Sequence, residues 1–188
     1  YEMQRSLVGS EMCIRDRTIV CETDDIIAGY ALTYGQNAEI IISSFDSDFF
    51  QLITDNVYVL RYRGEKTVVC TSDYVREKFG IEPEQYADFK SLTGDTSDNI
   101  KGADKVGKKT AASLLNEFGT LESIISNAEN IKKPSIKESV IRNADKLRKN
   151  YSLIKLGNTE LLPFNLQELE YRYTGITTNE VLKGIGLR

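Results

Sequence analysis

Seven acidic residues stand in three short motifs: Glu22, Asp24 and Asp25 in ETDD, Asp46 and Asp48 in FDSD, and Asp95 and Asp98 in GDTSD. Gathered in one place, seven carboxylates would repel one another and raise one another's pKa. Hard divalent cations relieve that repulsion, and Mg²⁺ or Mn²⁺ suits a donor set made of oxygen alone. Two such ions about 4 Å apart cleave phosphodiesters: one lowers the pKa of the attacking water and both stabilise the developing charge. Each motif also has a purely structural account. Asp24 and Asp25 suit the positive end of a helix dipole, Asp48 suits an N-cap, and Asp95 and Asp98 suit a turn beside glycine. Histidine is absent from the 188 residues. That removes Ser-His-Asp, Cys-His and histidine-metal chemistry, so any catalysis falls to carboxylates and lysines.

The second feature is GDTSDNIKGADKVGKKTAASLL, residues 94–115. Gly102 and Gly107 let a backbone approach a phosphate closely, and the helix that follows offers free N–H groups at its N-terminus. Lys101, Lys105, Lys108, Lys109 and Thr110 stand in or beside the same loop, where they could meet a DNA backbone without reading its sequence. A nucleotide-binding P-loop does not fit. Two lysines follow Gly107, which displaces the hydroxyl residue by one position, and the loop follows a helix where a P-loop needs a strand. A solvated turn whose lysines serve solubility is the plainer alternative.

Charge is distributed in a way that supports this reading. The chain holds 28 acidic and 24 basic residues, with a pI near 5.1, which by itself argues against a polyanionic partner. Yet residues 101–109 carry four lysines against one aspartate, and residues 132–149 carry seven Lys/Arg against two acids. With the seven motif acids set aside, the basic residues outnumber the remaining 21 acids. Cys13, Cys21 and Cys70 are an odd number with no CxxC pair, as expected of free thiols in a reducing cytoplasm. Apolar runs such as Ile40-Ile41-Ile42 are too short to cross a membrane, and no secretory leader is expected.

The elements that must position these residues follow from periodicity. A short apolar run spans 18–21, and a helix is expected over 24–32. An uninterrupted strand over 39–45 should be buried on both faces, as in a parallel sheet. It is followed by a helical turn over 48–53. Strands over 57–62 and 66–70 flank a turn at Arg63-Gly64-Glu65. A helix from Ser72 should stop at Gly80, and another should run from Pro83 to about Gly94. Further helices are expected over 109–118, closed by Gly119, and over 121–127. Pro134 should open an amphipathic helix with Ile136, Val140, Ile141, Ala144 and Leu147 on one face. The first half is thus α/β and the second nearly all helix. Asp46 and Asp48 follow the C-terminal end of a strand, the edge where open α/β sheets build their sites.

In this order and spacing, the motifs resemble the 5′-3′ exonuclease and flap endonuclease family, which includes the nuclease domain of bacterial DNA polymerase I and stand-alone bacterial and phage enzymes. ETDDIIAGYA resembles that family's E-A-D-D motif, with Thr23 in place of alanine. ISSFDSDFFQLI is similar to its strand-borne D-x-D. GDTSDNIKGADKVGKKTA is similar to its helix–three-turn–helix signature. The resemblance covers about residues 18–188. It implies an α/β fold with a PIN-like, mostly parallel sheet, followed by a helix–three-turn–helix region. It implies that Glu22, Asp24, Asp25, Asp46, Asp48, Asp95 and Asp98 bind two Mg²⁺ or Mn²⁺ ions and catalyse. It also implies that the loop from Lys101 to Thr110 grips duplex DNA with a 5′ flap or end, in family members often with a bound K⁺, and that the protein acts as a monomer. Lys101 stands where proline is usual and Lys105 where glycine is usual, so a positive φ at the latter would strain the lysine.

Three regions are expected: a non-native segment 1–17, whose SLVGSEMCIRDR resembles translated sequencing adapter; the C-terminal part of a nuclease domain, 18–82; and the DNA-binding region with its tail, 83–188. The family's upstream strand, its further aspartates and its helical arch have no counterpart before Glu22. The expectation is therefore of a truncated chain impaired in cleavage and stability. Its alternative role is that of a fragment that holds duplex DNA without cutting it. A PIN-type ribonuclease would share the core but gives no reason for the helix–three-turn–helix.

Overall fold

The computed structural model describes residues 22–157 and 162–170. The segment 1–17 and the apolar run over 18–21 lie outside the described residues. Helix α1 (Thr23–Tyr34) carries Asp24 and Asp25 in its first turn, where the helix dipole favours them. It turns Ala28, Gly29 and Ala31 inward. Strands β1 (Ile40–Ser43) and β2 (Val57–Arg61) pair in parallel, with Ile42 opposite Val59. β3 (Val68–Cys70) returns antiparallel to β2, with Val59 opposite Cys70. The hairpin turn is longer than expected, a 3₁₀ turn over Gly64–Lys66.

The strand expected over 39–45 is shorter, and it is not buried on both faces. Ile42 is in the core, whereas Ile41 stands 59% exposed. Side chains alternate along a strand, so consecutive isoleucines face opposite ways. An apolar run tells that both faces can be covered; it does not tell that they are.

α2 (Ser72–Phe79) is capped by Thr71 and ends at Gly80 in the left-handed conformation, φ 73°. After a 3₁₀ turn at Pro83–Gln85 comes α3 (Tyr86–Thr93), buried from Tyr86 to Leu92. α4 (Lys108–Phe118), α5 (Leu121–Ser126) and α6 (Pro134–Ile154) complete the helical half. Between α3 and α4 lies a pairing the sequence did not announce, a two-residue ladder of β4 (Gly94–Asp95) and β5 (Ile100–Lys101). α6 buries Ile136, Val140 and Leu147 as expected, but Ile141 is 47% exposed. The buried stripe instead continues through Asn150 and Ile154, and Ile141 lies about 100° round the helix from Val140.

One core runs through residues 28–147. Its α/β part centres on Phe50, wholly buried, whose ring meets Tyr74, Phe79 and Tyr86 at centroid distances of 5.7, 6.0 and 5.3 Å. Gln51, also buried, joins the two halves. Its amide donates to Ile154 O at 3.0 Å and accepts from Leu156 N at 2.9 Å, so it satisfies a carbonyl that the end of α6 leaves without a helical partner. Asp88 of α3 accepts from Leu121 N at 2.7 Å and so caps α5. Residues 162–170 form a separate turn, in which Asn165 and Glu168 exchange side-chain to backbone hydrogen bonds.

Two residues other than glycine have positive φ, Asn99 at 55° and Lys105 at 63°. Asparagine tolerates that region; for lysine it costs about 1 kcal/mol. Lys105→Gly should therefore stabilise the chain by about 1 kcal/mol, read as a rise of about 3 °C in thermal unfolding. A lowered midpoint would show that the Lys105 side chain stabilises the loop by more than its backbone strain costs.

Candidate functional site

α3 ends where Gly94, at φ 80°, turns the chain back; its N–H bonds Lys90 O. The reversal starts β4 and brings Asp95 over its own helix. A type of residue that the sequence reading passed over sits beneath it. Lys90, with only 7% of its side chain exposed, forms ion pairs with both Asp48 and Asp95. Its signal was faint, a lysine between Phe89 and Leu92 in a helix that buries nearly every residue.

The strand-end motif arrives from the other side. Asp46 Oδ1 accepts Asp48 N–H at 2.9 Å, which folds the loop after β1 and aims Asp48 inward. Asp48 is not the N-cap of its 3₁₀ turn; Ser47 holds that place. Asp95 fulfils its turn role and faces the cluster at once, because Oδ1 accepts Ser97 N–H at 2.9 Å while Oδ2 meets Lys90. Carboxylate oxygens of Asp48, Asp95 and Asp98 all lie within 4.8 Å of one another. Asp24 joins from α1, and Asp46 and Asp98 act on its charge. The packing of i and i+3 on one helix face suggested that Asp24 would stand aside and Asp25 converge. Instead Asp24 is the member of ETDD that faces the other motifs, while Glu22 and Asp25 flank it on the same turn and add their charge to it.

Electrostatics follow from that crowding. Burial, then the charge of Asp46, raises the Asp24 carboxyl above its ordinary value. Burial also raises Asp48, more than its bond to Lys90 restores. For Asp98, burial and then Asp95 act in the same direction. Asp95 goes the other way: burial opposes its charge, but Lys90 and Ser97 hold its carboxyl well below the usual carboxylate range. Burial works against the Lys90 ammonium, and its two carboxylate partners overcome that and raise it. One cation thus serves several anions, and the cluster keeps net negative charge.

The basic loop adjoins this cluster. Ala103 N bonds Leu92 O at 2.9 Å, and Ala103 and Val106 are buried. Lys101, Lys105, Lys108 and Lys109 are exposed, and Thr110 is half-buried. α4 starts after Gly107 without a side-chain cap, so its first N–H groups remain available to an anion. Gly94 and Gly102 are required by close approach. A Cβ on Gly94 would lie 2.6 Å from Gly102 N, and one on Gly102 would lie 2.3 Å from Leu92 O. Two further residues that sequence reasoning missed reach across from α6. Lys146 Nζ donates to Gly102 O at 2.8 Å, and Asn150 donates to Ser91 O at 3.2 Å and Lys101 O at 3.0 Å. A polar residue at a core-facing position of α6 was the only hint of Asn150. A cleft of about 620 Å³, lined by Lys90, Asp95, Lys101, Gly102, Gly107 and Lys108 among others, connects carboxylates and loop. An oxygen-rich anionic cluster beside a basic, glycine-bearing turn is a place where a phosphate ester can be held next to hard cations.

Comparison with known proteins accords with that chemistry. The family model for the 5′-3′ exonuclease N-terminal resolvase-like domain matches residues 15–80, and that for the 5′-3′ exonuclease C-terminal SAM fold matches residues 81–176. The chain belongs to the 5′-3′ exonuclease family. It is 37% identical over 136 residues to the thermostable DNA polymerase I of Thermus aquaticus, covering 72% of this chain and 16% of that protein. It is 36% identical over 152 residues to a 5′-3′ exonuclease of Buchnera aphidicola, covering 79% of this chain and 49% of that one. The chain therefore spans about half or less of the length of these relatives. The fold matches that of the bacteriophage T5 flap endonuclease, solved in a pseudo-enzyme–product complex with DNA and metal ions, at a TM-score of 0.63 and 20% identity, covering 88% of this chain and 57% of that one. Among the described residues, no helix is long and apolar enough to cross a membrane.

Removing the buried ammonium should expose how the cluster is held. Lys90→Met is expected to destabilise the chain by about 3 kcal/mol in urea unfolding, because it leaves two carboxylates uncompensated. Adding Asp95→Asn should restore part of that loss, with a coupling of about 1 kcal/mol or more. Strict additivity of the two changes would mean that Lys90 does not hold Asp95.

Proposed function

We propose that the chain carries the metal site and the duplex-binding loop of a structure-directed 5′-3′ exonuclease and flap endonuclease that hydrolyses DNA phosphodiester bonds. The observation that carries this reading is the convergence of Asp48, Asp95 and Asp98 from two separate motifs to within 4.8 Å, with Asp24 and Asp46 in electrostatic reach. The donor set fits Mg²⁺ or Mn²⁺: it is all oxygen, and the Lys90 ammonium between Asp48 and Asp95 marks a spot already shaped for positive charge. Bound there, such ions would lower the pKa of the attacking water and neutralise charge on the scissile phosphate. Asp46, Asp48, Asp95 and Asp98 are the proposed ligands, with Asp24, Asp25 and Glu22 as an outer acidic rim. Lys90 sits where it can meet a phosphate oxygen once a divalent ion takes over its carboxylates.

The substrate follows from the loop. Gly102, Gly107 and the uncapped start of α4 suit a phosphate backbone, and Lys101, Lys105, Lys108, Lys109 and Thr110 surround them. Such contacts do not read bases, so binding is proposed to be independent of sequence. The related T5 protein was crystallised with DNA and metal ions, which supports the same pairing here. K⁺ is not part of this reading, since the Gly102 carbonyl already takes the Lys146 ammonium. A second reading, a duplex binder that does not cut, draws on Lys90: two of the carboxylates are already compensated without a metal.

Mn²⁺ should raise the unfolding midpoint of the wild type and not that of Asp48→Asn. Cleavage of a 5′-flap duplex that requires Mg²⁺ or Mn²⁺ and disappears in Asp46→Ala establishes the nuclease. Binding without cleavage under either ion favours the second reading, and absence of both overturns the two together. Lys108→Ala and Lys109→Ala should each weaken duplex binding equally for different sequences, and each should lower the salt slope by about one. Loss confined to one sequence would contradict a backbone grip.

A further inference from the structure

The C-terminal edge of the sheet carries a group of side chains that neither the acidic cluster nor the lysine loop uses. Phe45 immediately precedes Asp46, yet its ring is 50% exposed. Isolated exposed apolar residues are common and need no explanation; the surroundings of Phe45 set it apart. Ser44 N donates to Leu60 O at 3.1 Å, so the exits of the parallel strands β1 and β2 stay paired. From β2, Arg61 Nη2 donates to Phe45 O at 2.6 Å, and the guanidinium rests 4.9 Å from the centre of the buried Phe50 ring. Arg61 is thus anchored, and it fixes the backbone of Phe45. Two residues on, the guanidinium of Arg63 lies over the Phe45 ring, 4.9 Å from its centre. Tyr62, between the two arginines, is 66% exposed.

An aromatic ring held rigidly from behind, half open to solvent and flanked by an arginine, recognises a flat π-system that carries negative charge. Unpaired nucleotides have both properties, and bases stack on such rings whatever their identity. A protein partner would find Arg63 and the neighbouring Asp46 within one small patch, a mixed charge that favours neither sign. A nucleic-acid strand instead meets the arginine with its phosphate and reaches the carboxylates one residue away only where cations compensate them.

We propose that Phe45 and Arg63 form a stacking platform for an unpaired segment of DNA next to the acidic cluster. Phe45 takes the base, Arg63 takes the adjoining phosphate, and Arg61 is a positioning residue that fixes the Phe45 backbone. That the segment is the 5′ end entering the cluster rests on the nuclease reading above; the stacking itself does not.

The test uses the full chain, in EDTA, with a single-stranded DNA of about ten nucleotides carrying one 2-aminopurine, and with a blunt duplex of mixed sequence as a second probe. Wild type should bind the single strand and change the fluorescence of the 2-aminopurine. Phe45→Leu should weaken that binding about tenfold and abolish the fluorescence change, with an unchanged unfolding midpoint and unchanged duplex affinity. Phe45→Trp should restore both. Arg63→Gln should lower the salt slope for the single strand by about one. Failure of the wild type to bind the single strand, or a Phe45→Leu variant that binds and reports as the wild type does, would overturn the platform. Binding of the single strand without binding of the duplex would instead overturn the duplex-gripping loop and leave the platform standing.

Discussion

Carboxylates cannot be collected at a partly buried sheet edge without something positive among them, and in this chain Lys90 is that element. Its ammonium reaches Asp48 on the loop after β1 and Asp95 on β4, so it ties the α/β half to the helical half at the point where their acids meet. The arrangement is deliberately incomplete. Lys90 holds Asp95 well below the usual carboxylate range, while burial leaves Asp48 and Asp98 raised. A cluster fully neutralised by lysines and arginines would have no affinity for a divalent ion. One with no internal cation would push its strands apart, because unpaired buried charge is costly.

The same short stretch of chain links the cluster to the lysine–glycine loop. β4 and β5 hold Asp95 and Lys101 two pairs apart on a ladder of only four residues, and Gly94 and Gly102 let the backbones touch. From behind, Asn150 and Lys146 of α6 secure the carbonyls of Ser91, Lys101 and Gly102. The loop cannot shift far without moving Asp95, nor can α3 tilt without moving both. A phosphate backbone held by the loop is therefore held at a set distance from the carboxylates, and positional control of that kind is where much catalytic advantage arises.

Several features were legible in the residues alone. Gly80 and Gly94 mark helix ends because a left-handed cap excludes most side chains; Pro83 marks a start. The three acidic motifs and the basic loop were visible as residue types at set spacings, and their family resemblance was enough to name the fold class. The positive φ of Lys105 followed from its standing where a glycine is usual.

Other features depended on which surfaces meet, and composition and period do not carry that information. An apolar triplet, Ile40–Ile42, does not say that Ile41 faces outward, because alternation fixes that the faces differ and not what covers them. Helical spacing on α1 favoured Asp25 over Asp24, yet the direction from which the D-x-D loop approaches makes Asp24 the one that faces Asp46 and Asp98. Lys90, Lys146 and Asn150 carry no motif at all. Their partners lie 42 to 59 residues away in the chain, and only the packing of α3 against the sheet edge and α6 gives an ordinary lysine or asparagine its particular role. Sequence determined which chemistry the protein could hold, because donor types and turn-forming residues are local properties. The tertiary structure decided which of those donors share a site, because distance between side chains is set by the packing of elements remote in the chain.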